Sequence, residues 1–255
     1  MSDWNPGEYL KFKDERTRPS RDLCSRIALD APARVLDLGC GPGNSTAVLR
    51  ERWPKAEVIG LDSSAEMIAQ ARAAYPGGIW QQGDLAGYQP GAPCDVVFAN
   101  AVLQWLPDQA ALLPRLLGLV APGGCLAVQV PARSAFRAAL EAVALRPRWR
   151  TLLEGAGEAV SFHDAPYYHA VLAPLTRTLD LWETIYFHHL ASPEGVLDWY
   201  RATGMRPYLD RLAGAELREA FQAEVLEACR KDYPAAADGT VLMPFRRVLF
   251  VAWKQ

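Results

Sequence analysis

Between residues 34 and 130, short runs of β-branched residues alternate with Ala- and Leu-rich stretches of helical period. This is the rhythm of βαβ units wound around a parallel sheet, because each parallel pair needs a crossover long enough to hold a helix. Strands are expected at 34–38, 57–61, 79–82, 95–99 and 125–130, with Pro122-Gly123-Gly124 as the turn into the last of them. Helices are expected at 45–53 and at 65–75, the second introduced by Asp62, Ser63 and Ser64 as cap candidates. Beyond Pro131 the pattern changes to Arg-rich and aromatic-rich helices at 135–153, 192–202 and 217–231, with extended candidates at 178–188 and 246–253. The expected fold class is α/β, a doubly wound, seven-stranded and mostly parallel sheet whose two closing strands are separated by helical cap insertions. One domain over 1–255 is expected, with an N-terminal helical segment at 1–30, a core at 31–130, and closing strands with a helical cap at 131–255.

At 255 residues and half apolar, such a chain can bury a substantial core. The formal charge of −2 removes the polyelectrolyte attraction on which most nucleic-acid binders rely, so a small-molecule partner is expected and nucleic acid is not. Five cysteines stand without a CxxC pair, which suggests neither a disulfide framework nor a zinc site and fits a reducing cytoplasm. Asp3, Pro6 and Glu8 occupy positions where a signal peptide needs basic and then apolar residues, and no apolar run is long enough to span a membrane. An unexported protein is the expectation. His163, His169, His188 and His189 form no HExxH, and no metal site is expected.

The chemistry concentrates in Asp37-Leu38-Gly39-Cys40-Gly41-Pro42-Gly43-Asn44, which follows a strand and opens a helix. Its glycines allow a tight turn and let a ligand approach backbone N–H groups without Cβ clashes. A dinucleotide fingerprint would place its third glycine at Asn44, so a pyrophosphate cradle matches poorly. Asp37 adds a charge that would repel pyrophosphate and attract a cation. Asp62, at the end of the second strand, can accept both ribose hydroxyls, as an acid about twenty residues beyond the glycine turn does in ribose-binding sheets. Asp84 can meet an adenine amino group and Leu85 its ring. Three acids at successive strand ends follow the rule that ligands bind at the carboxyl ends of strands in open α/β sheets.

Asp37 to Asn44, Asp62-Ser63-Ser64, Gly83-Asp84-Leu85 and Phe98-Ala99-Asn100 together resemble the class I S-adenosylmethionine-dependent methyltransferase family over residues 33–130. Further motifs extend the likeness over the whole chain: Ser2-Asp3-Trp4-Asn5-Pro6, Tyr9, Phe12, Arg16 to Pro19, Asn100 to Asp108, Ala202 to Pro207 and Pro244 to Arg247. Through these the chain is similar to the branch of that family that esterifies a carboxylate of small polyacids such as trans-aconitate. The resemblance implies the Rossmann-like methyltransferase fold and S-adenosylmethionine as cofactor. It implies cofactor contacts from Asp37, Gly39, Gly41 and Asn44 in the turn and from Asp62, Ser63 and Met67 beyond the second strand. Asp84, Leu85, Asn100, Gln104 and Trp105 follow from the third and fourth strand ends, and Tyr9 from an N-terminal lid it shares with Phe12. After the fifth strand this chain departs from that branch, carrying Arg133 and no histidine.

A small polycarboxylate acceptor calls for forked cations, and arginine offers bidentate geometry that lysine cannot reproduce. Arg206, in Thr203-Gly204-Met205-Arg206-Pro207, is the first candidate, followed by Arg201, with Arg133, His188 and Trp105 as further acceptor contacts. Arg137, Arg246 and Arg247 belong to the same cluster of arginines, most of which are expected in solvent. No catalytic acid or base is expected, because the acceptor carboxylate is already ionised near neutral pH. The alternatives are a related carboxyl methyltransferase acting on malonyl-acyl-carrier protein, which needs a basic docking face, and a non-catalytic S-adenosylmethionine sensor, which needs no acceptor pocket.

Overall fold

The computed structural model describes residues 13–201 and 203–255, and across them the sheet runs β3-β2-β1-β4-β5-β7-β6. After α1 (Lys13–Ser25), the chain forms β1 (Arg34–Leu38), α2 (Asn44–Arg52), β2 (Glu57–Asp62), α3 (Ala65–Ala74), β3 (Ile79–Gln82) and β4 (Cys94–Asn100). It continues through α4 (Gln109–Gly118), β5 (Val120–Pro131), α5 (Ala135–Ala144), α6 (Ala165–Leu172), β6 (Thr178–Leu190) and α7 (Glu194–Arg201). The last elements are α8 (Arg206–Leu209), α9 (Ala215–Cys229) and β7 (Val241–Trp253). Strands β1 to β5 pair in parallel, and β7 enters antiparallel between β5 and β6. The strand order reverses at β1, whose neighbours are β2 and β4, so a crevice opens beyond the carboxyl ends of β1 and β4.

Parallel strands are covered on both faces, which is why β1 and β4 read as apolar runs rather than alternating ones. One face packs Leu36, Leu38 and Val97 under Leu112 and Leu116 of α4 and Tyr168 of α6. The other packs Val35, Val96 and Phe98 under Leu23 of α1 and Leu49 of α2. A third cluster holds Phe136, Trp149, Trp199, Tyr208, Phe221 and Phe245, and so joins the cap helices to the start of β7. Helix α1 is tied to β6 where the Tyr186 hydroxyl donates to Asp22 Oδ2 at 2.7 Å. The expected lid residues Tyr9 and Phe12 lie outside the described residues.

Three boundaries differ from those expected. Pairing of β4 with β5 steps from Cys94–Val120 to Val96–Cys125, so Pro122-Gly123-Gly124 is a bulge inside a longer strand, not the turn before it. The helix expected over 135–153 ends at Ala144, because Pro147 forces the residue before it out of helical backbone. Strand β7 begins at Val241 and carries Pro244 inside it. It pairs with β5 only from Arg247 onward, so Pro244 sits where one flank has no ladder to supply with an N–H. Three helices, α4, α6 and the short α8, are additional to those expected, and the first two are each capped by an aspartate, Asp108 and Asp164.

Candidate active site

The turn after β1 is held from below by a buried carboxylate. Asp37 is fully buried, and its Oδ2 accepts hydrogen bonds from Ser45 Oγ at 2.7 Å and Thr46 Oγ1 at 2.6 Å, both on the first turn of α2. Its Oδ1 has no hydrogen-bond partner among the described residues. Burial pushes the Asp37 carboxyl up to about 7, against the opposing pull of the Thr46 and Ser45 hydroxyls. A carboxyl raised from its ordinary 3.8 binds a proton in the folded state that the unfolded chain has already lost. Its stabilising contribution is therefore full below that ordinary value and is lost as pH rises towards about 7. The urea midpoint of the protein relative to Asp37→Asn should thus fall between pH 5 and pH 8. An identical pH dependence in both would show that Asp37 stays ionised throughout.

Gly39 and Gly41 turn the chain with φ of 64° and 53°, in the left-handed region that favours glycine. A Cβ at Gly39 would stand 2.3 Å from Val102 Cγ2, whereas one at Gly41 meets no atom of the described residues within 4 Å. Asp62 ties this turn to the next. Its Oδ2 accepts the Gly41 N–H and its Oδ1 the Ser64 N–H, both at 2.9 Å. Ser63 is exposed beside it, and Met67 is buried on the first turn of α3, with its N–H donating to Ser64 Oγ. Asn44 Oδ1 accepts from the Tyr75 hydroxyl at 3.1 Å. At the end of β3, Asp84 is exposed and folds back on the Ala86 N–H at 2.9 Å, while Leu85 is buried.

The end of β4 forms one wall of a cavity. Asn100, Ala101, Gln104 and Trp105 line it, and Ala101 takes a left-handed φ of 55° that turns the chain into the short helical turn at Leu103–Trp105. Gln104 Nε2 donates to the Ala101 carbonyl at 2.7 Å, which fixes the amide, and Gln104 Oε1 and Asn100 Oδ1 are buried without a hydrogen-bond partner among the described residues. Arg137 of α5, Tyr200 of α7, Thr203, and Phe245 and Arg247 of the sheet strand β7 line it as well. Arg137 and Arg247 are 3% and 5% exposed. Arg247 Nη1 donates to Gln129 Oε1 at 2.9 Å, and its guanidinium lies 4.5 Å from the Phe245 ring centre.

Of the expected acceptor contacts, Trp105 lines the cavity and the other four do not. Arg206, on α8, pairs with Asp210 at 3.5 Å. Its motif nevertheless reaches the cavity through Thr203 and Gly204. Arg201 pairs with Asp198 at 3.1 Å and with Gln222 at 2.9 Å, and Arg133 is more than half exposed and pairs with Glu141. His188 is buried with its ring stacked 4.1 Å from that of Trp199. The expectation of solvated arginines fails at Arg137 and Arg247. A signal for the second was present: Val241, Met243, Phe245, Arg247, Leu249 and Val251 alternate along β7, which puts Arg247 on the inward face and Arg246 outward. Among the described residues there is no group of three or more His, Cys, Asp or Glu that could hold a metal, and no helix long and apolar enough to cross a membrane.

A family model described as a methyltransferase domain matches residues 12–174. Trans-aconitate 2-methyltransferase of Methylobacterium nodulans is 48% identical, over 99% of this chain and 98% of that protein. The enzyme of the same name from an Azoarcus species is 47% identical over 99% of each chain. Among solved structures, the YcgJ protein of Bacillus subtilis superposes with a TM-score of 0.58 at 14% identity, covering 93% of this chain and 99% of its own. Phosphoethanolamine N-methyltransferase 2 of Haemonchus contortus, solved in complex with S-adenosylmethionine, gives a TM-score of 0.58 at 13% identity, over 93% of this chain and 53% of that one. These two likenesses establish the shared fold.

Proposed function

We propose that this chain, which belongs to the methyltransferase family and to its trans-aconitate 2-methyltransferase branch, esterifies a carboxylate of trans-aconitate with the methyl group of S-adenosylmethionine. The observation that carries this reading is the cavity's lining. It brings buried side-chain oxygens of Asn100 and Gln104 together with the buried guanidiniums of Arg137, on a cap helix, and Arg247, on the sheet. A cationic ligand is matched by the first pair and an anionic one by the second.

The residues present fit the cofactor. Asp37 Oδ1, Asn100 Oδ1 and Gln104 Oε1 are buried acceptors that suit a ligand presenting an ammonium and a cationic sulfur. The open side of Gly41 lets such a ligand reach the backbone, and each Asp62 oxygen keeps lone-pair capacity for a ribose hydroxyl beyond the N–H it already accepts. Bound there, S-adenosylmethionine supplies a methyl group activated by its positive sulfur.

The chain's own work is then to bind, orient and exclude water. The acceptor carboxylate carries its charge at neutral pH, so no side chain has to remove a proton. Trp105, Phe136, Phe162 and Phe245 wall the cavity with apolar surface, which strengthens the electrostatics inside it. Holding two reactants in line is worth roughly 7 to 11 kcal/mol when the geometry is near that of attack. All five cysteines are free and buried, which supports the cytoplasmic reading.

A comparison of initial rates tests the acceptor assignment. Trans-aconitate should exceed cis-aconitate, citrate and malonyl-acyl-carrier protein in kcat/KM. A higher kcat/KM for the malonyl carrier would move the assignment to the other carboxyl methyltransferase.

A further inference from the structure

Arg137 is bound in a way that leaves part of its guanidinium for a ligand. Its Nε donates to Glu141 Oε1 at 2.6 Å and its Nη2 to the Gly157 carbonyl at 2.7 Å, while the buried Nη1 has no hydrogen-bond partner among the described residues. The planar group lies 5.4 Å from the Phe162 ring centre and 5.5 Å from that of Tyr208, so its plane is fixed by rings as well as by hydrogen bonds. Glu141 is shared: it pairs with Arg133 as well as with Arg137, so the three side chains carry one net positive charge. A buried donor without a partner costs stability unless a ligand meets it, and a guanidinium N–H is best met by an anionic oxygen. Arg247 brings a second buried guanidinium to the same cavity, oriented by Gln129.

We infer that Arg137 and Arg247 are the specificity-determining residues of the acceptor site, each holding one carboxylate that does not react and leaving the third carboxylate of a tricarboxylic acid to take the methyl group. This rests on the function proposed above. The division of labour follows from charge: a forked bond to the attacking oxygen would lower its nucleophilicity, so the guanidiniums belong on the other two carboxylates. Two clamps also favour an acid with two carboxylates beyond the one that reacts, because an acceptor that lacks either of them forgoes one clamp.

The test uses Arg137→Lys and Arg247→Lys, which keep the charge and lose the fork. Dissociation constants are measured by calorimetry on the S-adenosylhomocysteine complex, for trans-aconitate and for itaconate, glutaconate and mesaconate, each of which lacks one of its carboxylates. Each variant should weaken trans-aconitate by about 10-fold or more, the range for losing one hydrogen bond to a charged group while the charge itself is kept. For the one dicarboxylate that lacks the clamped group, the change should stay within about 3-fold, and the two variants should spare different dicarboxylates. Affinity for S-adenosylhomocysteine should be unchanged in both. Equal losses for all four acids mean that the arginines only brace the cap, and no loss for any means that they do not touch the acceptor; either result overturns the inference. Failure of the underlying reading looks different: the unmodified protein binds trans-aconitate with the discrimination described but forms no ester.

Discussion

A valine at position 41 should leave a folded protein that no longer binds S-adenosylmethionine. Gly41 has a φ of 53°, so a β-branched residue strains the backbone by about 1 to 3 kcal/mol. That strain is the main cost to the fold, because a Cβ there meets no atom of the described residues within 4 Å. The same side chain projects into the space above the turn, beside the N–H that Asp62 holds, where the cofactor has to approach the backbone. Calorimetry should show a loss of affinity of more than about 100-fold, equivalent to about 2.7 kcal/mol or more, with a melting temperature lowered by only a few degrees. Gly39→Val is the contrasting case. Its Cβ would fall 2.3 Å from Val102 Cγ2, so that variant should fail by misfolding. Unchanged cofactor affinity in a folded Gly41→Val protein would remove the turn from the site.

The second large effect is expected in the cap. Trp149 is fully buried and meets the Phe221 ring edge-on at 5.2 Å between centres, in a cluster distinct from the two that sandwich the sheet. Trp149→Ala should cost about 3 to 5 kcal/mol of stability, from lost transfer energy and the cavity left behind. Because that cluster includes Phe136, Tyr200 and Phe245 of the cavity wall, acceptor KM should rise well before cofactor affinity changes. Thermal unfolding and paired titrations of the two ligands check this. Equal weakening of both ligands would show that cap and sheet respond as one unit.

The cofactor half of the molecule was legible because its signals are local. A strand, a glycine turn and a helix follow one another in sequence, and acids at the ends of β1, β2 and β3 fall on one edge of the sheet by topology alone. The acceptor half depends on contacts across long separations, which composition does not encode. Arg206 looked suitable through its motif, yet i,i+4 spacing gives it Asp210 as a partner on its own short helix. Arg137 was placed in the cluster of arginines expected mostly in solvent. Its burial comes from the Gly157 carbonyl, Phe162 and Tyr208, all brought in from elsewhere in the cap. Arg247 was readable in principle from the alternation along β7, since it falls inside the strand expected at 246–253, but as a charge it was placed with the arginines expected mostly in solvent.

The most direct measurement is to supply the protein with S-adenosylmethionine carrying a 13C-labelled methyl group, together with trans-aconitate, and to follow the label by NMR and the product by mass spectrometry. The label should move from the sulfonium methyl to a single methoxy-ester resonance, with one methyl added per aconitate and S-adenosylhomocysteine formed in equal amount. A protein that binds the cofactor but leaves the label on sulfur, or passes it to an atom other than a carboxylate oxygen, would contradict the account.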